Sequence, residues 1–225
     1  MKRKLIIFGT GKIAEACAYF FERDSNYSIN AFVIDDLYYK DASFLGKPVV
    51  KLSDVAKEYP AKDFYAFIAV GYQGINSLRT EKYEFFKSQN YNLANYVSPL
   101  VKGNFSAGEN TIVMDNAMIQ PNVTFGNNVF VWGGAMIGHH SIINDNCWLT
   151  GGCLIGGSVN MGQSSFIGMG AVLGQEIKTG EKCMIGAGTL TIKSIGDKSV
   201  IIAQPTELHR LNADQFTRMS SCFRT

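Results

Sequence analysis

Charge is scarce in this chain and histidine scarcer still. Only 18% of the 225 residues are charged, the formal net charge is +2, and three histidines are present. No five like charges run together, so the sequence carries no electrostatic footprint for a nucleic-acid backbone or an anionic membrane surface. Long hydrophobic runs are missing as well. The apolar stretch from Leu5 to Phe8 is broken by glycine, short of the roughly 7–15 residues of a signal-peptide core, and no stretch reaches the roughly 18 residues of a membrane span. The expectation is a cytoplasmic chain whose five cysteines are reduced; no CxxC pair marks a redox or zinc site. The sequons at Asn26 and Asn122 are then chance matches.

Apolar residues are plentiful at 46%, which points to a folded chain that hides much of its surface, in part against other subunits. From Ala107 onward the sequence divides into fourteen hexads without an insertion, beginning AGENTI, VMDNAM, IQPNVT, FGNNVF, VWGGAM, IGHHSI and ending TGEKCM, IGAGTL. The first position is Val, Ile, Leu, Met or Phe in twelve of them, the second is Gly in nine, and the fifth is nearly always small. A period of six fits neither a helix nor a two-sided strand. It fits a coil of three short strands, in which positions one and five point inward, positions two to four form corners, and residues 18 apart stack. Cys147, Cys153 and Cys183 fall at position five and read as small core residues.

The first hundred residues alternate apolar runs (KLIIF, INAFVIDD, FYAFIAVGY) with helical patterns (IAEACAYFFERD, SDVAKE, LRTEKYEFFKSQN). That order predicts a parallel sheet with crossover helices, and ligands bind such sheets beyond the carboxyl ends of the strands. Gly9, Thr10 and Gly11 follow the first run, Asp35 and Asp36 the second, Gly71 the third. Glycines let a phosphate approach the backbone at a helix N-terminus, and a carboxylate suits a ribose or nucleobase donor. Ala14 stands where a full GxGxxG would have its third glycine, so a plain tight turn with two solvated aspartates fits the same residues.

A small Rossmann-like domain, hexads interrupted by His139 and His140, the rungs IGMGAV and IGAGTL, and the exit IIAQPTELHR together resemble the bacterial nucleotide-sugar N-acyltransferases of the PglD/NeuD type. The resemblance implies an α/β Rossmann-like nucleotide-sugar-binding domain over residues 1–97, a left-handed parallel β-helix over 98–206 and a tail over 207–225. It also implies a homotrimer, a nucleotide-linked amino sugar held by the first domain, and acetyl-CoA as co-substrate in a groove between two β-helices. The reaction implied is transfer of the acyl group to the amine of a nucleotide-linked dideoxy amino sugar for surface glycans such as lipopolysaccharide O-antigen, without a metal.

By motif match His139 is the general base, since an imidazole can take a proton at neutral pH, and the Gly157 N–H is the donor to the thioester carbonyl. The residue after the base is an acid in relatives of this kind; here it is His140, so Asp145 or another carboxylate is expected to substitute, or the base is weaker. Trp148 aligns with a histidine that contacts the acyl donor. Gly168, Met169, Gly186 and Ala187 are candidates for the CoA wall, with Lys193 near its phosphates, although glycine also simply eases tight corners. His209 reads as a surface residue of the exit segment, and the tail as a short helix or frayed end. Three other readings stand beside this one: an O-acetyltransferase on sialic acid or another sugar, a non-catalytic nucleotide-sugar-binding trimer, and a zinc lyase on the same scaffold. The last needs three histidine ligands and is set aside, because His139 and His140 share one corner.

Overall fold

The computed structural model describes residues 2–219. Strand β1 (Arg3–Phe8) buries Leu5, Ile6, Ile7 and Phe8 completely or nearly so, as a central parallel strand covered on both faces must. Around it are α1 (Lys12–Asp24), β2 (Tyr27–Ile34), β3 (Ser43–Phe44), β4 (Lys47–Lys51), α2 (Val55–Glu58), β5 (Tyr65–Ile68), α3 (Ser77–Ser88) and β6 (Asn92–Leu93). The sheet order is β3-β4-β2-β1-β5-β6, all parallel except the short β3 hairpin on β4, which the sequence reading did not anticipate. Because β2 and β5 flank β1 on opposite sides, the order reverses at β1, and its carboxyl end is the place where a ligand crevice opens. Alternate residues of β1 serve two layers: Ile6 and Phe8 pack with α2 and α3, Leu5 and Ile7 with α1.

The layer holding α1 also holds Ile112, Phe130 and Trp148 of the second domain, so the two domains share a core. That domain is a left-handed parallel β-helix of three sheets, with seven, five and five strands. Its register is 18 residues per coil, as in Met118 on Met136, Leu154 on Val172 and Phe130 on Trp148. The first and last coils shorten to 16, with Tyr96 on Ile112 and Met184 on Val200. Strand β7 (Tyr96–Val97) thus pairs within the β-helix, two residues before the border expected from sequence. Position one is buried at Ile119, Val131, Ile137 and Ile155, position five at Ala135, Cys147, Cys153 and Ala171. Burial pushes the thiols of Cys147 and Cys153 up to about 12, so neither is a nucleophile at neutral pH.

The fourth position of all fourteen hexads, from Asn110 to Gly188, has positive φ. Only Gly, or a short polar residue such as Asn, enters that region readily, which explains the asparagines and glycines that recur there. Past the last coil, α4 (Ala213–Met219) is the short helix expected of the tail; residues 220–225 lie outside the described residues. His209 is exposed and packs edge-on against Phe216. No helix among the described residues is long and apolar enough to cross a membrane.

Candidate active site

The β1 end is shaped by Gly9. Its φ is +120°, and a Cβ there would lie 2.7 Å from the Ala69 carbonyl oxygen, so the two strand ends close together only over glycine. Gly11 caps α1 with no side chain, leaving the first N–H groups of that helix facing outward. Gly9, Thr10, Gly11, Asp35 and Gly71 line one cleft of about 290 Å³. A second space of about 240 Å³ adjoins it through Thr10, Ile34 and Tyr38, and adds Lys40, Asp41 and Phe44. Five of the six residues expected at a nucleotide site therefore share a cleft. Asp36 does not: its carboxylate accepts the Ser53 N–H at 3.1 Å, and the Ser53 hydroxyl, followed by that backbone bond, holds it below the usual carboxylate range. Asp35 lies in the cleft and accepts a hydrogen bond at 2.6 Å from Lys82, a buried lysine of α3 that the sequence reading missed.

The β-helix has three corners between its three faces. Residues a multiple of 18 apart stack along one corner, so His139, Gly157, Gln175 and Lys193 form a single column. Both histidine side chains are exposed. The His139 N–H donates to Gln120 Oε1 at 2.9 Å, the His139 carbonyl accepts from the Ser158 N–H at 2.7 Å, and the His140 N–H donates to the Pro121 carbonyl at 3.1 Å. His140 sits in the positive-φ slot of its hexad at +58°. The His139 ring lies over Gly157, where a Cβ would come within 2.8 Å of Cε1 and 2.9 Å of Nε2. Among the described residues the Gly157 N–H has no hydrogen-bond partner. A free donor and an imidazole edge thus meet in one place.

Other expected residues fall elsewhere. Gly168, Met169, Gly186 and Ala187 belong to the next corner, which carries Gly133 and Gly151 in the coils before them, across the sheet of Met118, Met136, Leu154, Val172 and Leu190. Asp145 is on the third corner, where its carboxylate accepts the Asn127 N–H at 2.7 Å; it does not substitute for the missing acid beside His139. Trp148 is 2% exposed, stacked on Phe130 with ring centroids 4.7 Å apart. Position six of that coil faces the N-terminal domain, so Trp148 fastens the two domains and is closed to an acyl donor.

What holds the domains together is Arg79 at the start of α3, fully buried and without a carboxylate partner among the described residues. It donates to Asn76 Oδ1 at 2.9 Å, to Asn128 Oδ1 and the Asn128 carbonyl at 3.1 Å each, and to the Asn146 carbonyl at 2.9 Å. Its guanidinium lies over Phe130 and Trp148 at 4.7 and 5.0 Å. Burial pulls it down to about 9, against which the carbonyl acceptors and ring faces hold the charge.

No protein-family model and no curated protein sequence matches the chain. Solved structures do. A histidine-to-asparagine variant of perosamine N-acetyltransferase from Caulobacter crescentus, in complex with CoA and GDP-perosamine, superposes with a TM-score of 0.79 at 21% identity, over 89% of this chain and 93% of its own. WeeI from Acinetobacter baumannii AYE gives 0.77 at 18%, over 91% and 98%. The acetyltransferase domain of PglB from Neisseria gonorrhoeae, in complex with acetyl coenzyme A, gives 0.64 at 21%, over 89% and 96%. At these identities the likeness establishes the fold: this chain shares with all three an N-terminal α/β domain seated on a left-handed β-helix.

Proposed function

We propose that the chain is an acyl-CoA-dependent N-acyltransferase, with acetyl-CoA as donor and the amino group of a nucleotide-linked amino sugar as acceptor. The observation that carries this reading is the His139 ring lying over Gly157 beside a free backbone N–H. It is supported by the cleft at the β1 end and by the ligands bound in two structures of the same fold, CoA with GDP-perosamine in one and acetyl coenzyme A in the other.

The chemistry needs no covalent enzyme intermediate. The amine attacks the thioester carbonyl, His139 Nε2 takes the proton it sheds, and the oxyanion that forms accepts from the Gly157 N–H. Collapse breaks the C–S bond, and the imidazolium returns the proton to the departing thiolate. Lys193, on the same corner three coils away, would meet the phosphates of the donor. The cytoplasm, where both co-substrates are available, fits the free thiols of Cys17, Cys147, Cys153 and Cys183.

A working site takes more than one copy. The N-terminal domain covers the face of Phe130 and Trp148, whereas His139 stands on the corner opposite that face, so cleft and imidazole of one chain point apart. The face beside the histidine corner carries Met118, Leu154 and Leu190, which are 60%, 39% and 66% exposed, an apolar ladder that a second copy would cover. A cyclic trimer closes that contact on itself and sets the Gly133, Met169 and Ala187 corner of one copy against the histidine corner of the next, forming the groove for CoA.

The test is thiol release from acetyl-CoA with a panel of UDP-, TDP- and GDP-linked amino sugars, run on the wild type and His139→Ala. Turnover with one sugar, lost by about 100-fold or more in the variant, is the expected result. Turnover unchanged in the variant would remove His139 as the base. Binding of a sugar nucleotide with no thiol released would favour a non-catalytic trimer, and an ester product an O-acetyltransferase.

A further inference from the structure

No carboxylate touches either histidine of the corner among the described residues. The three polar side chains form a line instead. His139 Nδ1 lies 3.0 Å from His140 Nδ1, the rings nearly perpendicular at 82°, and His140 Nε2 lies 3.0 Å from the amide nitrogen of Asn122, one coil below. The nearest titratable side chains farther along this corner are Glu176, two coils beyond His140, and Lys193, three coils beyond His139.

Two neutral imidazoles that share a hydrogen bond through their Nδ1 atoms hold one proton between them, so the tautomer of one ring dictates that of the other. With the amide nitrogen toward it, as the structure has it, His140 Nε2 accepts. The His140 proton then sits on Nδ1 and is donated to His139 Nδ1, and His139 Nε2 is an N–H that cannot take a proton. A half-turn of the amide offers the Asn122 oxygen instead. His140 then carries its proton on Nε2, accepts at Nδ1 from the His139 Nδ1–H, and leaves a lone pair on the His139 Nε2 that overlies Gly157. The Asn122 side chain has no other hydrogen bond among the described residues, so the amide is free to turn between the two orientations.

We propose that Asn122, acting through His140, is the positioning residue that selects which nitrogen of His139 carries the proton, and that this amide stands in for the acid absent at position 140. The proposal rests on the acyltransferase reading for its effect on rate, and on geometry alone for its effect on the tautomer. The change of order is neutral overall. His139 Nε2 gives its proton to solvent, the shared proton moves from His140 Nδ1 to His139 Nδ1, and solvent returns a proton to His140 Nε2.

Two substitutions push the selector in opposite directions. Asn122→Asp supplies a group that only accepts, which fixes the productive order. Asn122→Gly keeps the positive-φ backbone, at +63° in this chain, and removes the selector. The full chain is labelled with ¹⁵N-histidine, and the three imidazoles are read in long-range ¹H–¹⁵N spectra above the titration range of imidazole, with kcat and KM measured on the same samples. Asn122→Asp is expected to turn His139 to the Nδ1–H tautomer and raise kcat by about threefold or more with KM unchanged, because the rate scales with the competent fraction. Asn122→Gly is expected to leave the tautomer to the two imidazoles alone and to give a kcat about threefold or more below that of Asn122→Asp. A His139 tautomer that is the same in all three chains overturns the proposal, as does a fall of kcat in both variants, which is what a merely structural role would produce. If the tautomer follows residue 122 and no chain releases thiol from any sugar, the relay stands and the acyltransferase reading fails.

Discussion

Asn128 and His140 occupy the same slot of two hexads, both at positive φ, +57° and +58°, on two corners of one prism. On the first corner the slot is closed. Asn110 donates to Asn128 at 2.8 Å and Asn128 to Asn146 at 2.7 Å, Asn110 also bonds the Ile68 backbone, and Arg79 fills the remaining acceptor. Asn110 and Asn128 are fully buried. On the second corner the line of Asn122, His140 and His139 is exposed and ends on a nitrogen with no partner among the described residues. One backbone solution thus serves rigidity where every polar atom is satisfied and chemistry where one is left over. In a repeat fold the site shows itself as an interruption of a ladder.

The widest separation between the two corners should come from the same substitution made in each. Asn128→Gly keeps the backbone but strips Arg79 Nε, Asn110 Nδ2 and Asn146 Oδ1 of a partner inside the domain junction. Leaving such groups unpaired costs about 2–4 kcal/mol in total, seen as a lower urea midpoint, with kcat per folded molecule unchanged. Asn122→Gly, on the open corner, should change stability by no more than about 0.5 kcal/mol, as surface changes do, and act on turnover alone. Equal stability losses at both positions would end the distinction.

Gly157→Ala sharpens the histidine side of the comparison. Its backbone has no positive φ that alanine would oppose, so the new methyl group acts only through space, where it meets the His139 ring at 2.8 Å. The imidazole must move by some tenths of an ångström, off the line to the oxyanion donor. Turnover should fall by about 10- to 100-fold, since small misplacements of a catalytic group cost that much, while thermal unfolding stays close to wild type.

The ladder was legible in the sequence because positions one and five repeat without an insertion, and their burial at Ile137, Cys147 and Ile155 follows directly. The same arithmetic, carried one step further, would have sorted the corners: 157, 175 and 193 differ from 139 by multiples of 18, whereas 145, 169 and 187 do not. Asp145 and Met169 are therefore separable from the His139 corner by counting. Trp148 was not separable. Position six points outward on every face, and only the docking of α1 and β5 against one of the three decides that Phe130 and Trp148 are core while Met118 and Leu154 are surface. Arg79 was hidden for the opposite reason: a charged residue in a helix rich in Lys and Glu reads as solvated, and its burial depends on a turn, Gly74 to Asn76, in which three successive residues have positive φ. In the sheet domain the strand ends locate the cleft, but Asp36 and Asp35 are neighbours in sequence, and which of them enters it is set by the hydrogen bond that Asp36 accepts from the Ser53 N–H, 17 residues on.

The corner of Gly133, Met169 and Ala187 lies between these extremes, and the smallest effect is expected there. At its lowest coil Asp115 accepts two hydrogen bonds from Arg23 of α1, at 2.9 and 2.7 Å, with both side chains partly exposed. The hydrogen bond with Ser98, and after it Arg23, holds the Asp115 carboxyl below the usual range. A carboxylate whose pKa is lower in the folded chain than in the unfolded one stabilises the fold above the unfolded value, about 3.9, and loses that contribution as the pH falls through the folded value. Asp115→Asn should therefore lower stability by about 0.5–1 kcal/mol at neutral pH, the scale of a part-exposed ion pair. The gap between the two urea midpoints should narrow as the pH is taken below about 4. A gap that persists in acid would mean that the corner is held by shape and packing, as the asparagine ladder is, and that its charge contributes nothing to the docking of α1.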